Sequence, residues 1–175
     1  MLKSEPPFLL YARDFELLAL RDVFELGGDG ALLPTPRDAG LRFLPFAQND
    51  AGDQYSFAFS DQAPREPSIV LWLHDEGRFM SYARDLQDFI FLKMLEVATC
   101  IRLDSDLVGE GNVQANLLAW LETHRRYLQP QQVAVLREVY MRQPVSSGEG
   151  TSVQLLLEGE YADILKAHGM TPAFE

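Results

Sequence analysis

Tyr55-Ser56-Phe57-Ala58-Phe59-Ser60, followed after two prolines by Ser68-Ile69-Val70-Leu71-Trp72-Leu73, is the stretch that decides the fold class. In the first run aromatic residues alternate with small ones, the period of two that gives a strand one buried face. The second run is apolar from Ile69 to Leu73, which suits a central strand. Pro64 and Pro67 confine the connection between them to a loop or a sheet edge, because proline cannot donate to a ladder. His74-Asp75-Glu76-Gly77 reads as a turn, and Phe79 to Ala83 returns antiparallel to make a hairpin. Strands are expected near residues 43–46, 54–60, 68–74 and 79–83, with Phe57, Val70, Trp72, Phe89 and Ile90 in the core.

Outward from this sheet the period changes to that of helices. Asp85 is a good N-cap, Asp88 favours the positive end of the helix dipole, and Leu86, Phe89, Ile90, Met94, Val97 and Ile101 form a broad apolar face. Upstream, Phe15, Leu18, Leu20, Val23 and Phe24 are spaced as a helix over Asp14 to Leu26, capped by Gly27-Gly28-Asp29-Gly30. Downstream, a break at Asp104 to Asn112 leads to a helix over Val113 to Leu128. Pro130 opens another that runs to about Arg142. Pro144 to Thr151 is a loop, Ser152 to Leu157 reads either as a strand or as the start of a helix, and Glu160 to His168 as helix. The expected architecture is α+β: a small antiparallel sheet flanked by helices in residues 1–103, and an all-helical C-terminal extension, residues 104–175, packed on that core.

The chain has 175 residues, of which 47% are hydrophobic, enough to bury a sizeable core in spite of a net charge of −11. An acidic folded surface repels phosphate backbones and anionic lipid, so nucleic acid and membrane are poor partners and a basic protein is a good one. One cysteine permits no intrachain disulfide. Phe8 to Ala12 is too short for a signal-peptide core, and no window approaches a transmembrane length, so a cytoplasmic location is expected.

The candidate chemical motifs are incomplete. Asp104-Ser105-Asp106 begins like a calcium-binding loop, but Val108 stands where a third oxygen ligand belongs and Ala115 where the bidentate glutamate belongs. His74-Asp75-Glu76 are consecutive and cannot easily converge on one ion. His124 falls on the stripe Val113, Leu117, Trp120, Leu121, Leu128 and reads as a hydrogen-bonded residue at a core edge, while His168 sits near a helix C-terminus. Cys100 lies in an apolar helical stretch without a basic neighbour and reads as a buried, unreactive thiol. No catalytic residues, cofactor or metal are expected, and the chain is read as a binder rather than an enzyme. The acidic turns Asp50-Ala51-Gly52-Asp53 and His74-Asp75-Glu76 are expected to lie together at one end of the sheet. Asp50, Asp53, His74, Asp75 and Glu76 are the candidate partner-binding residues.

From Leu44 to Leu95 the order of features resembles the core of the SUKH superfamily, which includes the yeast cell-wall-assembly regulator and many bacterial toxin-immunity proteins. The features are Leu44-Pro45-Phe46, the acidic turn with Gly52-Asp53, and the aromatic strand to Phe59. Pro67-Ser68, the strand Ile69 to Leu73, His74-Asp75-Glu76 and the helix opening Asp85-Leu86-Gln87-Asp88-Phe89-Ile90 follow. The resemblance covers about half of the chain and makes residues 1–103 a SUKH-like core. It implies a non-catalytic immunity protein that neutralises a cognate toxin, in many cases a basic nuclease. A regulatory or scaffold protein without a toxin partner is the alternative.

Overall fold

Consecutive antiparallel strands joined by short turns dominate the first half of the protein in a computed structural model, which describes residues 12, 15–18, 41–60, 63–109, 111–146 and 150–170. The chain divides into two compact units, residues 14–89 and residues 90–171.

In residues 14–89, five strands lie in the order β1 (Glu16–Leu17), β2 (Leu41–Gln48), β3 (Gln54–Ser60), β4 (Ala63–Leu73) and β5 (Arg78–Ala83). Every neighbouring pair is antiparallel, so β2 to β5 form a meander. The four expected strands are present. β4 runs further than expected, through Pro64 and Pro67. The register jumps there from Ala58↔Ser68 to Ser60↔Ala63, so both prolines fall in an irregularity where a missing N–H costs little.

Helix α1 (Leu86–Val97) begins in this unit, with Asp85 as its cap: Asp85 Oδ1 accepts from the Asp88 amide at 2.8 Å. Phe89 is fully buried and is the hub of one face of the sheet. Its ring lies 5.3 Å from those of Phe46 and Tyr55, 5.7 Å from Tyr82 and 5.8 Å from Phe15.

The single-buried-face expectation for β3 is corrected, because Ser56 and Ala58 are buried as well as Tyr55. On their face Phe43 of β2 stacks on Phe79 of β5 with ring centroids 4.0 Å apart and planes at 8°. Since β3 and β4 lie between those strands, the two rings meet above them. The small residues Ser56 and Ala58 leave room for that aromatic cover, and Trp72, buried at 4.7 Å from Phe79, extends it. Of the expected core, Trp72, Phe89 and Ile90 are buried, whereas Phe57 and Val70 are only half-buried. Val70 faces Ser56 and Ser81 across the ladder, which are too short to cover it, and Phe57 faces the exposed Leu44.

The first expected helix is also corrected where it is described. Glu16 and Leu17 pair with Gln48 and Ala47 as strand β1, and the Leu18 amide donates to the Phe46 carbonyl at 3.0 Å. With Phe15 against Tyr55 and Phe89, tertiary packing overrides a loose helical spacing. Residues 19–40, including the Gly27–Gly30 cap, lie outside the described residues.

Residues 90–171 contain the rest of α1, β6 (Ile101–Arg102), α2 (Asp106–Gly109), α3 (Val113–His124) with a 3-10 turn at Arg125–Tyr127, α4 (Pro130–Tyr140), β7 (Val145–Ser146), β8 (Ser152–Gln154) and α5 (Glu158–Ala167). The class is α+β as expected, but the C-terminal part is not all helical: β8 pairs antiparallel with both β6 and β7 in a second sheet. Strands of two or three residues have no readable period.

Apolar residues of the helices, among them Met94, Leu117, Leu121, Leu136, Val139 and Leu165, fill this interior. The end of α1 is fixed by specific acceptors. The Ala98, Thr99 and Cys100 amides donate to the Leu95, Glu96 and Val97 carbonyls, and the buried Tyr140 hydroxyl donates to the Met94 carbonyl at 2.7 Å. The Ala98 carbonyl in turn accepts from the Leu155 and Leu156 amides, tying the segment after β8 to the same turn. Cys100, expected to be buried within a helix, is half-buried in the turn after α1.

Candidate functional site at the acidic end of the sheet

In an antiparallel meander alternate turns share an end, so the β2–β3 turn and the β4–β5 turn are brought together. Both depend on glycine in the left-handed region, Gly52 at φ 89° and Gly77 at φ 63°. Gly52 is also where the turns touch: a Cβ built there would lie 3.7 Å from His74 Cε1.

Asp53 is the anchor of the junction. Its amide donates to Asn49 Oδ1 at 2.8 Å, and Asn49 Nδ2 donates to Asp53 Oδ2 at 3.1 Å, an Asx-type closure of the first turn. Its other oxygen, Oδ1, accepts from the His74 amide at 3.1 Å and lies 2.9 Å from His74 Nδ1. The second imidazole nitrogen, Nε2, lies 3.1 Å from Asp75 Oδ1. The hydrogen bond to Asp53 outweighs the opposing cost of desolvation and, aided by the charges of Asp75 and Asp53, raises the His74 pKa above the ordinary 6.5. Partial burial by itself would raise the Asp53 carboxyl, but the hydrogen bonds from His74 and Asn49 outweigh it and hold it below its usual 3.8.

The five candidate residues thus divide by role. Asp53 points inward and is spent on the turn, with 14% of its side chain exposed. Asp50 and Asp75 face solvent, Asp75 with 89% exposed. Glu76 is exposed and pairs with Arg78 Nε, and His74 bridges the two turns. Sequence reasoning missed Asn49 and Arg78. The Asn49-x-x-x-Asp53 spacing around a glycine carried a turn signal, and Arg78 two residues beyond Glu76 carried a charge signal.

The other candidates have structural partners. Asp104 takes a forked ion pair from Arg102, with Nε at 2.9 Å and Nη2 at 2.7 Å, and that pairing holds its carboxyl below the usual range. The side chain of Asp106 lies outside the described residues. His124 is buried, its Nδ1 2.8 Å from Thr123 Oγ1 and 3.2 Å from the Trp120 carbonyl oxygen. His168 Nδ1 bonds the Ile164 carbonyl and its ring lies against Phe91. Among the described residues no three His, Cys, Asp or Glu side chains are grouped to hold a metal ion, and no helix is long and apolar enough to cross a membrane.

Comparison with protein-family models, with curated proteins and with solved structures gave no match. The site itself is a pair of turns joined by the Asp53–His74 contacts, with the carboxylates of Asp50, Asp75 and Glu76 exposed.

Proposed function

We propose that this is a non-catalytic protein-binding protein of SUKH type, an immunity protein of the cytoplasm that neutralises a cognate bacterial toxin through the acidic end of its sheet. The observation that supports this reading best is the latched pair of turns. Asp50 and Asp75 project from two turns cross-linked by the Asp53–His74 contact, with Glu76 beside them paired with Arg78, so carboxylates are gathered at one end of the sheet before a partner arrives. The remaining negative charge of the chain adds to the same field.

Two measurements test the reading. Co-expression with the toxin encoded beside it restores growth if the chain is an immunity protein. Failure against every linked toxin replaces that reading with a regulatory or scaffold protein. Charge reversal at Asp50, Asp75 and Glu76 together slows association with the partner, the more so at low salt, and leaves the melting temperature nearly unchanged. A wild-type association rate at low salt removes the acidic turns from recognition and shifts attention to residues 104–175.

A further inference from the structure

The His74 side chain touches both turns at the acidic end, and it does so with both ring nitrogens. Nδ1 faces Asp53 of the β2–β3 turn at 2.9 Å, and Nε2 faces Asp75 of its own turn at 3.1 Å. Glu76, the next carboxylate, is engaged by Arg78. A neutral imidazole has one N–H and one bare lone pair, so it donates to one carboxylate and repels the other. Only the imidazolium donates to both. The two contacts are unequal. Asp53 is half-buried and held by Asn49 and by the His74 amide as well, whereas Asp75 is almost wholly exposed.

We propose that His74 is a proton-operated latch: protonated, it bridges Asp53 and Asp75 across the two turns, and on losing its proton it keeps Asp53 and releases Asp75. The proton leaves from Nε2, because Nδ1–H remains the donor to the half-buried Asp53, which Asn49 and the His74 amide hold in place. Release leaves a lone pair facing the Asp75 carboxylate, and the exposed side chain swings into solvent. The acidic end then carries one more negative charge and one more free carboxylate. The Asp53 contacts that raise the proton affinity of His74 place the change above the ordinary 6.5, and a rise in pH through that point operates it. Resting on the binding function proposed above, the latch makes capture of a basic partner faster when it is open.

The latch is testable on the protein alone, which separates its failure from failure of the binding reading. Imidazole and carboxyl chemical shifts are followed by NMR across pH in wild type, Asp53→Asn, Asp75→Asn and Asp50→Asn. The expected result has three parts. The Asp75 carboxyl shift moves with the His74 midpoint, the midpoint falls in Asp75→Asn and further in Asp53→Asn, and Asp50→Asn leaves it in place. The Nε2 resonance identifies the neutral form as the Nδ1–H tautomer. The proposal is overturned if Asp75 shows no inflection at the His74 midpoint, or if Asp75→Asn, which leaves the Asp53 anchor intact, does not move that midpoint. A neutral tautomer protonated at Nε2 overturns it too. If the latch passes and association with a toxin is still independent of pH across the midpoint, the latch stands and the acidic end is removed from recognition.

Discussion

Residues 14–89 and residues 90–171 are held together by different means. In the first region two aromatic clusters sandwich a meander: Phe89 gathers the rings of Phe15, Phe46, Tyr55 and Tyr82 on one face, and Phe43, Phe79 and Trp72 close over small residues on the other. In the second region the interior is mostly aliphatic, and single hydrogen bonds set where elements end, such as Tyr140 on the Met94 carbonyl and the Leu155 and Leu156 amides on that of Ala98. The first design relies on aromatic contacts within runs that carry a sequence period. The second buries an aliphatic interior and adds to it a few bonds between residues far apart in the chain.

The largest expected effect is in the first region. Phe89→Ala removes the ring on which four others converge and leaves a cavity at a fully buried site, so it lowers stability by about 3–5 kcal/mol in urea denaturation. Trp72→Ala, on the other face, belongs to the same range but at its lower end, because Trp72 keeps a little exposure and one described ring neighbour. A loss below about 1 kcal/mol for Phe89→Ala breaks the comparison, since an easily collapsed site is incompatible with an aromatic hub.

An intermediate effect is expected in the second region. Tyr140→Phe keeps the ring and its packing and deletes only the hydroxyl that satisfies the Met94 carbonyl. The buried acceptor is then unpaired, which costs about 1–3 kcal/mol. Burial already holds this phenol well above its ordinary pKa, so the group is a neutral donor at any physiological pH. Hydrogen exchange sharpens the result. Protection is lost at the Ala98, Leu155 and Leu156 amides first if the end of α1 depends on this bond, and uniformly if the bond serves only global stability.

These differences in construction also explain what was legible in the sequence. The four strands of the meander were readable because each has at least six residues and carries alternation or an unbroken apolar run. The Asp85 cap was readable because capping needs a particular side chain at a particular place. The meeting of the two acidic turns followed from meander topology alone. Strand β1 and the second sheet were not readable as such, although Ser152 to Leu157, which holds β8, had strand as one of its two readings: two residues carry no period, and β6 comes from about fifty residues before β8. At the site, the residue types were legible but not their roles. That Asp53 turns inward while Asp75 stays in water depends on Asn49 and on the His74 amide, which no spacing rule foretells.

The smallest expected effect is the one that separates the regions by sign, because each holds a histidine and they are perturbed in opposite directions. Burial lowers the pKa of His124, outweighing its hydrogen bond to the Trp120 carbonyl, with the charge of Arg126 acting in the same sense as burial. The folded protein therefore keeps His124 neutral while the unfolded chain, with an ordinary value of 6.5, begins to take up the proton. Stability due to His124 is complete above 6.5 and is lost as the pH falls from there toward the folded value. His74 behaves in reverse. Its folded pKa is raised, so its contribution is fully present below 6.5 and is lost as the pH rises through the folded value. Wild-type stability from these two groups is therefore expected to be greatest near pH 6.5, with the His124 contribution lost below it and the His74 contribution lost above it. His124→Gln removes the loss on acidification, so that variant gains stability relative to itself as the pH falls, and His74→Gln removes the gain and loses it. Urea midpoints at four or five pH values measure both slopes, which exposure of His74 keeps small. Slopes of the same sign in the two variants show that both histidines share one kind of environment, and the contrast drawn here between an exposed, carboxylate-bound histidine and a buried, neutral one then fails.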